Sequence, residues 1–334
     1  MKVFVSEFVC GGGWPEERIE PSLAREGRAM WLALVEDLAR VSDVKVVTTW
    51  DARLGECPIR HGEVLPVDSS EREAEEFRRL VQISDVVWVI APETDGILER
   101  RQAAAGSRVL GGSDSVIRHC ADKWQTARLL QEHGIATPET RLFDPRMDQP
   151  AWPWPMVIKP RDGAGSLNTF LIRDEARWGE IRHQLAQIAP TVSFIQQPYF
   201  SGRALSVALL IRPDGSIADI LPVAEQRLSD DGRFRYLGGR IPADISDEAA
   251  RRVSELAVRA CRAVPGLSGY VGCDIVLPDD PRAEPLLIEI NSRLTSSYLG
   301  YRQLTDQNIP ARLLGFAVEP LRWKKNAVEF DMFV

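Results

Sequence analysis

The sequence predicts an α/β domain followed by an α+β region, and three observations support that class. In the first third, short apolar runs alternate with helix-period segments, the pattern of a parallel sheet with helices on its faces. In the second half, hairpin signals such as "RPDGS" (residues 212–216) replace that alternation. The chain has 334 residues, enough for two or three domains.

The elements follow in order. "KVFVSEFV" (2–9) reads as a buried strand and "GGGW" (11–14) as the turn leaving it. "SLAREGRAMWLALVEDLARV" (22–41) has helical periodicity, with Leu23, Met30, Leu34 and Leu38 on one side. "DVKVVTTW" (43–50) is a second strand. "SSEREAEEFRRLVQIS" (69–84) is an amphipathic helix with a serine and acids at its start. "DVVWVIAPE" (85–93) is a third strand and "GILERRQAAAG" (96–106) a helix ended by Gly106. Residues 113–140 read as a helix containing Lys123, stopped by Gly134 before an extended Ile-Ala-Thr-Pro stretch. A proline- and tryptophan-rich connector (145–155) leads to strands "MVIKP", "TFLI", "SFIQQPYF" and the long hairpin 204–223, with a helix at 175–188. A helix at 246–264 and two strands across a proline-rich loop (269–294) follow.

Bulk properties narrow the function. A net charge of −7 argues against a general nucleic-acid-binding surface and favours a small anion held in a pocket. Cys10, Cys57, Cys120, Cys261 and Cys273 are scattered with no CxxC pair, which argues against zinc and disulfide frameworks. No run approaches about 18 apolar residues, and the apolar start breaks into glycines without a cleavage site. A cytoplasmic enzyme or binding protein is expected. His61, His119, His133 and His183 fall in loops or on helix surfaces, outside any nucleophile–base motif.

The chemistry concentrates in three places. In "MVIKPRDGAGSLNTF" (156–170), Lys159 ends an apolar strand and Gly163, Ala164, Gly165 and Ser166 follow with accessible backbone N–H groups. A lysine placed there is costly unless an anion meets it, and such a loop suits a phosphate. The order, lysine first and glycines after, is not that of a Walker A loop. Asp274 stands in "VGCDIVL" and Glu289 and Asn291 in "LLIEINSR". Glu289 and Asn291 are two apart and share a strand face, where a neighbouring aspartate can complete an oxygen-donor set for Mg²⁺. Loops at strand ends, Glu7–Gly13 and Glu93–Asp95, are candidate walls of a substrate pocket.

Taken together, "ADKWQTARLLQEHGIATPET", "MVIKPRDGAGS", "SFIQQPYFSGRALSVALL", "GYVGCDIVL" and "LLIEINSR" resemble ATP-grasp ligases in order and approximate spacing. The resemblance covers residues from about 110 to 320. It implies an ATP-grasp fold preceded by a parallel-sheet domain, divided as 1–112, 113–197 (with a lid) and 198–334. "GRALSV", "EQRL…GRFRYLGGRIP" and "EINSRLTSS" are most similar to the branch of tyramine–glutamate ligases, of methanofuran biosynthesis. The resemblance implies that Lys123 and Lys159 contact ATP phosphates and that Gly163–Ser166 form a mobile lid. It further implies that Gln196, Gln197, Pro198, Tyr199 and Phe200 form the hinge strand whose backbone reads adenine, and that Asp274, Glu289 and Asn291 hold Mg²⁺ or Mn²⁺. Arg293 then serves either the phosphoryl group or a substrate carboxylate. Many members carry a ribose-binding glutamate where this chain has Ala204, two residues after Gly202.

The implied reaction joins a small-molecule carboxylate to an amine through an acylphosphate, and asks mainly for positioning and charge neutralisation. Glu7, Glu93, Asp95 and Glu225 are candidates to orient the amine or take its proton. Alternatives are a ligase for other amino acids or polyamines and a non-catalytic nucleotide-binding protein. The expectation includes neither nucleic acid nor membrane as partner and leaves a homodimer open.

Overall fold

The computed structural model describes residues 1–14, 21–144, 152–188 and 192–332. Most of the expected connector 145–155 therefore lies outside the described residues. The chain opens with β1 (Lys2–Glu7), α1 (Pro21–Ala39), β2 (Lys45–Asp51), β3 (Glu63–Val67), α2 (Ser70–Ile83) and β4 (Val86–Ile90). These build a parallel sheet of order β3-β2-β1-β4. One face packs on α1 through Val3, Val5, Trp31, Leu34 and Leu38, and the other on α2 through Phe4, Val47, Val87, Phe77 and Leu80. The start of α2 is capped as its sequence suggests: Ser69 accepts from Arg72 N–H at 3.3 Å, with Glu71 and Glu73 in the first turn. The expected three strands are four. β3 was missed because "EVLPV" carries a proline and is half-exposed at an edge, where the periodic signal is weakest.

The first strand ends two residues before its expected end, and Glu7 is the reason. Its side chain, 2% exposed, folds back to accept the Cys10 backbone N–H, and Gly11 N–H donates to its carbonyl at 3.0 Å. Burial pushes the carboxyl from 4.5 up to about 7, against the lowering effect of these backbone donors. A raised folded-state pKa contributes stability that is complete below the unfolded value and is lost as pH rises through the folded one. Native stability should therefore fall by on the order of 3 kcal/mol between pH 4.5 and 7 from this group. The Glu7→Gln variant should lose that part of the slope in unfolding experiments across the range; an unaltered slope would refute the assignment.

After α3 (Ile97–Ala105), the segment expected as one helix is two, α4 (Asp114–Ala121) and α5 (Lys123–Glu132). Asp122 breaks it: its backbone is extended and its carboxylate accepts the Trp124 and Gln125 N–H groups, so it caps α5 and starts it afresh. Then β5 (Arg141–Phe143), β6 (Met156–Pro160), β7 (Phe170–Ile172), α6 (Glu175–Ile188) and β8 (Phe194–Pro198) form an antiparallel sheet β5-β8-β6-β7 backed by α6.

The remainder is β9 (Gly202–Ile211), β10 (Ile217–Ile220), β11 (Ala224–Leu228), β12 (Tyr236–Ile241), α7 (Asp247–Arg262), β13 (Gly269–Pro278), β14 (Leu286–Asn291), α8 (Tyr298–Leu304), α9 (Ile309–Leu313) and β15 (Val328–Asp331). Its antiparallel sheet runs β14-β13-β9-β11-β12-β15, with β10 on β9. α7 covers one face through Val253, Leu256 and Ala257 against Leu205, Val207 and Val271. The opposite face shares a core with α1: Ala208, Leu210 and Tyr298 pack with Trp31 and Leu34. Tyr298 Oη donates to Asp37 Oδ2 at 2.5 Å and Arg302 pairs with the same carboxylate at 2.7 Å. The N-terminal helix is thereby fixed at the rim of the large sheet.

Candidate active site

A cavity of about 680 Å³ lies between the two antiparallel sheets, within the range of small-molecule sites. Strand alternation places its first charge. Met156 and Ile158 of β6 point into the core on α6, so Val157 and Lys159 point the other way, into the cavity. Lys159 is 7% exposed, and burial pushes its ammonium down to about 8; Glu289 and Asp274 pull it back up and Lys123 adds to the fall. Lys123, the first residue of α5, joins it. Asp122 anchors that helix start by accepting from Arg161 Nε at 2.9 Å, and Lys123 N–H donates to Arg161 O at 2.9 Å.

The acids face the lysines. In the β13–β14 register Asp274 stands opposite Glu289, with Asn291 two residues on and on the same face. Asn291 Nδ2 donates to Asp274 Oδ2 at 3.0 Å, Gln226 Nε2 to Asp274 Oδ1 at 2.9 Å, and Lys123 Nζ lies 3.3 Å from Glu289 Oε2. Loss of solvent and the charge of Glu289 push the Asp274 carboxyl above its ordinary range. Loss of solvent opposes ionisation of Glu289 too, but Lys123 and Lys159 outweigh it and hold that carboxyl well below. The two shifts have opposite signs because the carboxylates share one site and the lysines favour the charge on Glu289.

The glycine loop closes over this cluster. Lys123 Nζ donates to Gly163 O at 2.9 Å, and Ser166 Oγ to Phe234 O at 2.7 Å. Gly163, Ala164, Gly165 and Ser166 all line the cavity. Gly165 takes φ +65°, and a Cβ there would meet Leu23 at 2.9 Å, so this close approach to the N-terminal domain needs glycine. Asp95 N–H donates to Asp162 Oδ2 at 3.0 Å from the same side.

Arg293 reaches the cavity from just beyond β14 and forms a two-point pair with Glu93, Nε to Oε1 at 2.7 Å and Nη2 to Oε2 at 2.9 Å. This pair ties the N-terminal sheet to the acid strand, 200 residues apart in the chain. Along the other wall run Gln197, Pro198 and Tyr199.

The expected positions differ in what they face. Gln196 lies on β8 as expected, with its side chain turned from the cavity, 1% exposed and with Nε2 3.3 Å from Leu142 O. Of the four amine-handling candidates, Glu7 is consumed by the turn after β1, Glu93 by Arg293, and Asp95 lies outside the lining. Glu225 lines the cavity but pairs with Arg203, Nη2 to Oε2 at 2.6 Å. The reading missed Gln226, Tyr236 and Phe234, which come from β11, β12 and the loop between them, and Glu26 from α1. Polar residues at cavity-facing positions break the alternation that would have marked β11, and Glu26 reads as the solvent side of a helix.

Comparisons agree with this geometry. A model of the ATP-grasp domain matches residues 120–297, more than half of the chain, and one of the pre-ATP-grasp domain matches residues 44–117. The tyramine–L-glutamate ligase of Methanocaldococcus jannaschii is 23% identical over 98% of this chain and 92% of its own. A D-alanine–D-alanine ligase of Desulfovibrio desulfuricans is 29% identical over 60% of this chain, and the match spans 66% of that protein, just under two thirds. The crystal structure of an ATP-grasp superfamily protein from Archaeoglobus fulgidus superposes with TM-score 0.71 at 30% identity, covering 96% of this chain and 90% of that one. An L-amino acid ligase from Bacillus licheniformis shares the fold with TM-score 0.70 at 17% identity, over 96% and 75% of the two chains. With its lysines, its glycine loop and its paired acid strands in the places just described, the chain belongs to the ATP-grasp superfamily.

Proposed function

We propose that this protein is an ATP-dependent carboxylate–amine ligase, forming an amide and releasing ADP and phosphate. The observation that carries the reading is the convergence of Lys123 and Lys159 with Asp274, Glu289 and Asn291 in one closed cavity that also receives Arg293. Two lysines facing two carboxylates suit a substrate that brings both phosphates and a divalent cation. The donor set fits Mg²⁺ or Mn²⁺: two adjacent carboxylates and an amide, all oxygen donors, with Asn291 already holding Asp274 through its nitrogen. When bound, the nucleotide–metal pair supplies the γ-phosphoryl group that activates the acid. Lys159 and Lys123 hold the phosphates, Arg293 steadies the acid at the point of activation, and the Gly163–Ser166 lid keeps water from the activated acyl group. The backbone of residues 196–200 reads the adenine, with Gln197, Pro198, Tyr199 and Phe200 lining the cavity there.

Glutamate with tyramine is the proposed pair, supported by the nearly full-length likeness to the M. jannaschii enzyme. The three units 1–112, 113–197 and 198–334, a cytoplasmic setting and small-molecule partners complete the proposal; no described helix is long and apolar enough to cross a membrane. The test is ADP and phosphate release with Mg²⁺ across a panel of acids and amines headed by glutamate and tyramine, with mass spectrometry of products. Release that requires both partners and yields an amide supports the reading; ATP binding without release by any pair turns it toward a nucleotide sensor. Asn291→Ala should raise the Mg²⁺ concentration for half-maximal rate by roughly 10-fold or more, the loss of one donor. An unchanged requirement would remove Asn291 from the metal set.

A further inference from the structure

Glu26 is the acidic residue of the cavity that the ATP and metal chemistry does not use. It projects from α1 into the cavity wall next to Arg293, Thr295 and Ser296. The other acids there are committed: Glu289 has Lys123 and Glu225 has Arg203, while Asp274 is held by two amide donors and Asp230 stands exposed at the rim. Glu26 has one direct partner, the Ser296 hydroxyl at 3.2 Å, and no Lys or Arg within 4.0 Å among the described residues. Arg293, the nearest guanidinium by position, is turned to Glu93. Burial lifts the Glu26 carboxyl above its ordinary range, which Arg293, Ser296 and Arg25 offset only in part. A half-buried carboxylate that faces a cavity with no described Lys or Arg in contact is well placed to meet a cationic group brought by a ligand.

The position is built to be rigid. Asp37, three turns along α1, is held by Tyr298 and Arg302 and, through its backbone carbonyl, by Asn308. Gly27 lies so close to the Glu7 carboxylate that a Cβ would collide with it. Glu26 is therefore presented by a helix packed tightly beside it at Gly27 and anchored further along at Asp37, as a recognition group requires.

Resting on the ligase reading, we propose that Glu26 receives the ammonium group of an amino substrate seated between Arg293 and Ser296. Primary amines and amino acids are thereby preferred over neutral or acid-only molecules. The ammonium belongs either to the incoming amine or to the α-position of the activated acid, and kinetics separate the two.

The test compares the native protein with Glu26→Gln and Glu26→Asp, using tyramine, glutamate and a set of other primary amines and amino acids. ADP release gives KM for each partner. Calorimetric titration of the same compounds into protein holding Mg²⁺ and a non-hydrolysable ATP analogue gives affinity without turnover. Glu26→Gln should weaken the ammonium-bearing partner by roughly 10- to 100-fold, the value of a hydrogen bond to a charged group, with KM for ATP and the unfolding temperature unchanged. Glu26→Asp should recover part of the loss. A rise in KM for the amine assigns the incoming nucleophile, and a rise for the amino acid assigns its α-ammonium. Native-like affinity for every compound in Glu26→Gln overturns the proposal, as does a parallel rise in KM for ATP. Native binding that depends on Glu26 without any ADP release would sink the ligase reading and leave the ammonium site standing. Absence of binding by the whole panel to native protein would sink the site.

Discussion

Lys159→Met should abolish turnover, with a fall of about 10³-fold or more in kcat/KM, while leaving the protein at least as stable as before. The two halves have one cause. Lys159 is buried at the end of β6 with its ammonium pushed down to about 8 from 10.5, so the empty site bears the cost of desolvating it. A depressed lysine contributes stability that is present above the unfolded pKa and lost as pH falls through the folded one. Native stability should thus rise between pH 8 and 10.5, and at pH 7 the charge costs on the order of 3 kcal/mol. Methionine keeps most of the stem and removes that cost, so the variant should unfold no earlier than the native protein at pH 7 and lose the alkaline rise. On the proposed reading, phosphates of a bound nucleotide add to Glu289 and Asp274 in compensating the native lysine. Native turnover in the variant would remove the phosphate role; a large drop in unfolding temperature would show that Lys159 is structural.

Glu93→Gln should produce the largest loss of stability among single changes at the cavity. Glu93 and Arg293 are paired at two points with side-chain exposures of 8% and 14%. Removing one partner leaves a buried guanidinium uncompensated, at a cost of about 3–5 kcal/mol, or on the order of 10 °C in Tm. On the proposed reading it also frees Arg293 from the orientation in which it would steady the acid, so kcat should fall with KM for ATP little changed. The double variant Glu93→Gln/Arg293→Met separates the effects: stability should return most of the way, since no charge is left unpaired, while activity should not return. A single variant as stable as the native protein, or a double variant no more stable than the single, would show that the pair contributes nothing to holding the N-terminal sheet against the acid strand.

These effects show where sequence reasoning reached and where it stopped. Lys159 and the Glu289-x-Asn291 set were legible because a strand has period two: the residue after a buried one faces the other side, and residues two apart share a face. The glycine loop was legible because small residues after a strand-end lysine leave backbone N–H groups open to an anion. The fourth strand of the first sheet was not, since Pro66 and half-exposure hide an edge strand. Asp122 was misread as mid-helix because a capping aspartate inside a continuous apolar pattern looks the same in one dimension as a solvated one.

Glu7, Glu93 and Glu26 mark the boundary most sharply. All three are acids in the N-terminal third, and local pattern ranks the two loop acids together and the helix acid last. Packing ranks them differently: Glu7 closes a turn, Glu93 neutralises an arginine 200 residues away, and Glu26 faces the cavity. By itself the sequence determined the alternating first domain, the lysine at the end of β6 and the shared face of Glu289 and Asn291, because those depend on period and spacing, while its motifs carried the resemblance to the superfamily. The tertiary structure alone decided which of these carboxylates faces the cavity with no described Lys or Arg in contact. A charge's role depends on which opposite charge lies within a few ångströms, and that distance is set by the packing of α1 and α8 rather than by separation along the chain.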